Sequence, residues 1–152
     1  MPLSCPAGTG GDVSIVVSDA ADVILDVNGY LAAPATGGLS LYTATPCRAF
    51  DTRSSSGPFD GTLAVPIRAS TCAPPATAQA YVLNATVIPA GTLSYLTMWA
   101  AGGTQPDVSF LNADDGAVTS NMAIVPTTNG SVDTFTTDST QLILDLSSYF
   151  AP

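Results

Sequence analysis

The sequence predicts an all-β protein, an antiparallel, jelly-roll-like β-sandwich preceded by an extra N-terminal β-hairpin. Three observations predict it. Apolar residues make up 46% of the 152 residues and charged ones only 10%; all the acids are Asp, and there is no Glu, Lys or His. Helix surfaces are normally built from Glu, Lys, Gln and Arg, whereas the Thr, Val, Ile and Tyr found here favour strands and the Gly, Pro, Asn and Asp favour turns. Second, short apolar runs recur every 8–12 residues or so between turn signals, the spacing of a sandwich or barrel. Third, the chain repeats itself. GDVSIVVSDAADVILDVNGYLAA at 11–33 returns as GSVDTFTTDSTQLILDLSSYFAP at 130–152, about 119 residues later. Self-similarity at a fixed period marks a repeat array.

The runs predict strands near 13–18, 23–31, 40–45, 62–68, 79–88, 93–100, 107–111, 120–126, 131–137 and 141–150. Each copy of the duplicated stretch reads as a hairpin, turning at SDAAD in the first copy and at TDSTQ in the second. The small, uncharged APATGG segment (33–38) reads as a linker. It divides a partial repeat, 1–38, from a complete one, 39–152. By this reading Met1 falls inside a repeat, so the chain is either cut from a longer array or starts with a spare hairpin. A lone hairpin is marginal in water, so this one is expected to pack on a neighbouring sheet. Its assembly residues would be Val13, Ile15, Val23, Leu25 and Val27.

Charge excludes several classes of function. Twelve Asp against Arg48, Arg53 and Arg68 give a net charge of −9, unsuited to nucleic acid or to anionic membranes, which are held by Lys and Arg. No apolar run approaches the ~18 residues of a spanning helix. No export signal is legible at Met1–Pro6; for a secreted protein it would lie upstream or have been removed. Catalysis would have to use Asp, Ser, Thr, Cys or Tyr, since the usual proton shuttles are missing. A two-carboxylate glycosidase site is conceivable, but most of the aspartates sit in turn contexts, where they cap backbone donors. The chain therefore reads as non-enzymatic, with no cofactor.

Four candidate sites remain. In the repeated strand Leu142, Leu144 and Leu146 fall on one face, and Asp145 lies between Ile143 and Tyr149 on the other; Asp26 is its counterpart in the first copy. A half-buried carboxylate needs donors, and the nearest cations in type are Arg48 and Arg53 of CRAFDTR. At least one of them is expected to pair with Asp145 or Asp26; the alternative is a rim Asp capping a turn. Tyr95, Thr97 and Trp99 share a face of SYLTMWA, so Tyr95 and Trp99 would stack on a polysaccharide if exposed, although strand aromatics are usually core. Asp114 and Asp115 of NADDG are the best candidates for calcium, with a simple turn as the alternative. Cys47 and Cys72 flank a Ser/Gly/Pro-rich stretch and either close a disulfide or stay as buried thiols; a bond would contribute roughly 3 kcal/mol and imply an oxidising compartment. Cys5 is left over.

The motifs LYTATPCRAFDTR, TCAPPATAQAYVLNATVIPAG, LSYLTMWAAGGTQPDVSFLNADDG, SNMAIVP and the closing LILDLSSYF or VILDVNGYL resemble an uncharacterised repeat domain of secreted and surface proteins of soil and environmental bacteria. Its pattern runs TPCR-x-x-DTR, then LNVTV, then LDVNGY. The resemblance covers 39–152 and the partial copy before it. It implies the β fold, export and the Cys47–Cys72 pairing, and supplies no chemistry. Ser147 and Ser148 replace the Asn-Gly of the pattern, and Ala73 and Pro74 stand where a Gly usually follows the second cysteine.

The expected function is thus a structural or assembly module of an extracellular or cell-surface repeat protein or filament, its units joined by strand complementation. Its partners would be itself or neighbouring repeats. A carbohydrate-binding adhesion module and a phage or particle decoration subunit are the rival expectations.

Overall fold

The computed structural model describes residues 12–152 except 24, 26, 28 and 34. The fold is all-β, an antiparallel sheet of seven strands curled nearly into a barrel. The strands are β1 (Ser40–Asp51), β2 (Phe59–Val65), β3 (Ala80–Pro89), β4 (Leu93–Ala100), β5 (Leu111–Ala113), β6 (Thr119–Pro126) and β7 (Val132–Ala151).

Everything is organised around β7. Its first half, from Val132, lies between β2 and β4; its second half, to Ala151, lies between β1 and β3. β6 then pairs with β3, and β5 with β4. The second copy of the repeat is therefore one continuous strand of 20 residues, and the hairpin expected with a turn at TDSTQ does not form. Partner exchange falls at 136–140: β4 pairing stops at Thr136 and β3 pairing starts at Thr140. The bend is held locally by polar side chains. Asp138 accepts a hydrogen bond from Ser94 N (3.0 Å), Thr136 Oγ1 donates to Asp138 O (3.1 Å), and Ala90 N donates to Ser139 O (3.1 Å). Thr, Asp and Ser signal a turn in sequence; here they carry a strand round a corner, as bends do where a strand passes between sheets.

The core follows the period-2 pattern. Leu142, Leu144 and Leu146 of β7, Leu83 and Val87 of β3, Leu96 and Met98 of β4, and Val125 of β6 are buried together. Each such side chain contributes roughly 1.5–3 kcal/mol of transfer free energy. Buried threonines on β7 are satisfied within the fold: Thr134 Oγ1 donates to Leu63 O at 3.1 Å and Thr140 Oγ1 to Gln141 O at 2.9 Å.

β1 runs past the predicted 40–45 to Asp51. Pro46 does not end it, because among the described strands β1 pairs with β7 alone and its register with β7 shifts between Thr43 and Cys47. A residue without an N–H is tolerated at such an edge irregularity.

The N-terminal hairpin expected at 13–31 is corrected too. Among the described residues before Ser40 none is in a strand. The five assembly residues Val13, Ile15, Val23, Leu25 and Val27 are exposed, so these side chains are not buried on the sheet of their own chain. The second copy is flanked by β1, β2, β3 and β4, and the described residues of the first copy have no such neighbours.

Candidate functional site

Two features stand out from the background of a well-packed β unit. The first is the segment 12–33. Val13, Ile15, Val16, Val17, Val23, Leu25, Val27, Tyr30 and Leu31 are all exposed, with Val16 at 94% and Val27 at 87%. Most of the exposed large apolar residues of the described chain are concentrated in this one segment, which is how an interaction segment reads.

The second is a charge cluster where β1 meets β7. The register places Arg48 opposite Asp145, and Arg48 Nε donates to Asp145 Oδ1. Arg48 Nη1 also donates to Asp51 Oδ2 (2.8 Å). Arg53 folds back on the same acid, Nη2 to Oδ2 at 2.7 Å and Nε to Oδ1 at 3.0 Å. The expected pair is thus formed by Arg48 and Asp145, while Arg53 takes Asp51 instead. Asp26, the other expected partner, lies outside the described residues.

Asp51 is the hub that sequence reasoning missed. Its Oδ1 accepts from Arg53 N at 3.0 Å and so caps the short 3-10 turn Thr52–Ser54, while its carbonyl accepts from Ser55 Oγ at 2.8 Å. The signal was present in the DTR triplet, an Asp next but one to an Arg at a strand end. The Arg53 guanidinium first, with the Arg53 N–H and Arg48 assisting, holds the Asp51 carboxyl at about 2, below its usual 3.8. Thr52 follows, buried: it accepts from Leu142 N at 2.9 Å and donates to Gln141 Oε1, fixing the turn to β7.

Close by, Cys47 and Cys72 form a disulfide, with Cα atoms 5.8 Å apart. It ties β1 to the loop before β3. A shallow cleft of about 560 Å³ runs past Arg48, Phe50, Asp51, Ser55, Ser70 and Thr71. Its cations and anions are already paired with each other, and none of them titrates near neutral pH. The cluster is a clamp holding β1 and its turn against β7.

The aromatic platform is not formed. Trp99 is buried, and its Nε1 donates to Gly103 O at 3.1 Å. Tyr95 is half-buried and packs on Phe135 of β7, ring centroids 5.8 Å apart. Thr97 and Met98 between them are buried as well, because β4 is covered on both faces where it runs beside β7. A stacking surface for a saccharide needs exposed rings, and these two rings are spent on packing.

Asp114 and Asp115 sit in a tight turn closed by Gly116 N donating to Ala113 O (3.0 Å), with Gly116 at φ +73°. Asp115 Oδ1 accepts from Ala117 N at 3.0 Å. Among the described residues no group of three His, Cys, Asp or Glu side chains is placed to hold a metal. The turn gives the Asp115 carboxylate a backbone partner of its own.

No helix among the described residues is long and apolar enough to cross a membrane. Searches found no protein-family model, no curated protein and no solved structure that matches this chain.

Proposed function

We propose that the protein is a non-enzymatic structural or assembly module of an extracellular or cell-surface repeat protein or filament, in which the segment 12–33 joins one unit to the next by strand complementation. One observation carries this reading: the described apolar residues of a strand-patterned segment are exposed and lie in no strand, beside a unit whose own strands are packed round a core. Backbone groups of an extended segment and apolar side chains on alternate positions are what β-augmentation uses for affinity and specificity. β1, β2, β5 and β6 each keep one side unpaired by any other described strand, so ladder positions are open to such a partner. A disulfide fits an oxidising exterior, and a chain without His, Lys or Glu lacks the usual proton shuttles.

The test is size in solution against concentration, for the full chain and for a chain lacking residues 1–34. All seven strands lie within 40–152, so the shortened chain keeps its core. The reading expects association of the full chain that grows with concentration and disappears on truncation. Identical monomers at all concentrations would refute self-joining through this segment.

A further inference from the structure

The correspondence between the two copies goes deeper than apolar pattern, and the geometry points to a definite partner for the exposed segment: residues 12–33 are a second, competent β7, built to fill the central place between β1–β2 and β3–β4 of this same unit. This rests on the reading above that the segment complements a sheet; in place of the open edges named there it puts the central position.

Each buried position of β7 has an apolar counterpart. Leu142, Leu144 and Leu146 correspond to Val23, Leu25 and Val27. The buried Thr134 and Thr136 correspond to Ile15 and Val17, which lose a hydroxyl and gain apolar volume. The match runs the length of the core-facing side of a strand flanked by four others.

The polar partners are matched as well, which packing alone does not require. Asp138 receives the Ser94 N–H at the corner, and Asp19 stands at its position. Gln141 accepts from Thr52, and Asp22 supplies an acceptor there. Asp145 pairs with Arg48, and the counterpart is Asp26. Tyr149 stacks on Tyr42, centroids 5.4 Å apart, and the counterpart is Tyr30. Gly130 adopts φ +89° with a Cβ position only 2.7 Å from Arg68; the sequence has Gly11 there.

Connection is the last requirement. Ser40 pairs with Ala151, whose counterpart is Ala32. Entry of the first copy into the place of its own unit would therefore make an antiparallel hairpin, with Ala32 opposite Ser40 and residues 33–39 as its loop. That closure is far more local than the pairing of Ser40 with Ala151, so its entropic cost is lower. One place and two strands make an exchange: when 12–33 enters, β7 is released with its apolar face free for another unit. Exchange among identical units conserves the number of filled places, and burial is gained where an acceptor's own β7 is missing or disabled.

The test disables β7 in the full chain with Leu144→Asp and Leu146→Asp. The expected result is a monomer that still unfolds cooperatively in urea, with amide-exchange protection transferred from 142–150 to 23–31. Adding Leu25→Asp and Val27→Asp should abolish the transition. Protection that stays on 142–150, or a folded variant that is dimeric, overturns the assignment. Should the β7 variant not fold, a cross-link in the otherwise intact chain decides. Thr62 faces Phe135, whose counterpart is Val16. With Cys5→Ser throughout, Val16→Cys with Thr62→Cys should form an intramolecular disulfide faster than Val16→Cys with Thr119→Cys, a position on β6 away from the place. Equal rates overturn the proposal. Both readouts are made on the monomer, so they stand or fall independently of whether the full chain self-associates.

Discussion

Residues 132–151 and residues 12–33 share a sequence pattern and meet opposite fates. In β7, Leu144 is fully buried among strands on either side, whereas Leu25 at the equivalent position is 64% exposed. Local propensity is the same in both; what differs is the set of neighbours. β7 has β1 and β2 along one side and β3 and β4 along the other, while the first copy has no free place of that kind in its unit. Strand propensity thus acts here as suitability for a pleated, enclosed surface, and tertiary partners decide whether it is expressed.

The largest expected contrast between the two regions is energetic. Leu83→Ala, in the β3 wall that faces either occupant of the central place, should lower unfolding free energy by about 2–5 kcal/mol in urea titration, as for other buried leucines. Leu25→Ala should change it by no more than ~0.5 kcal/mol, as for exposed positions. Comparable losses would mean that Leu25 is buried too.

Reducing the Cys47–Cys72 bond, which closes a sequence separation of 25, should cost roughly 3 kcal/mol. The loss should be seen as a lower melting temperature. It should leave accessibility of 12–33 unaltered, since the bond lies wholly within the 40–152 unit.

The clamp on β7 makes a smaller, pH-dependent contribution. The Asp51 carboxyl is held at about 2 in the fold against 3.8 ordinarily. A depressed folded value contributes stability that is present above the unfolded pKa and is lost as the carboxylate is protonated. Stability should therefore fall between about pH 4 and pH 2. Asp51→Asn should flatten part of that fall and cost about 1–2 kcal/mol at neutral pH, after allowing for screening of the two half-exposed arginines. An unchanged acid limb in the variant would exclude Asp51 as its source.

The smallest effect expected is optical. Trp99, packed beside β7 with its N–H bonded to Gly103 O, should emit as a buried indole and resist a soluble quencher, with or without residues 1–34. Strong quenching would restore the saccharide platform that its burial excludes.

Much of the architecture was legible. β3, β4 and β6 lie within a residue or so of the expected positions, because each is an apolar run bounded by Pro, Gly or Asn. Arg48 with Asp145 was legible because a carboxylate on a half-buried strand face needs a donor. Three things were not. The corner at Thr137–Ser139 looks like a turn, since Thr, Asp and Ser serve a bend and a hairpin by the same side-chain hydrogen bonds. The Asp51 hub depends on the fold of the DTR turn, which brings two arginines onto one acid. The burial of Trp99 depends on β4 being covered on both faces, which alternation along a single strand does not reveal.

The most direct measurement is amide hydrogen exchange on the dilute full chain, comparing the two copies residue by residue. The account predicts slow exchange across 142–150, near the limit set by global unfolding, and fast exchange across the equivalent 23–31. Matching protection in both copies would contradict it, since the first copy would then already have the partners that this account assigns only to the second.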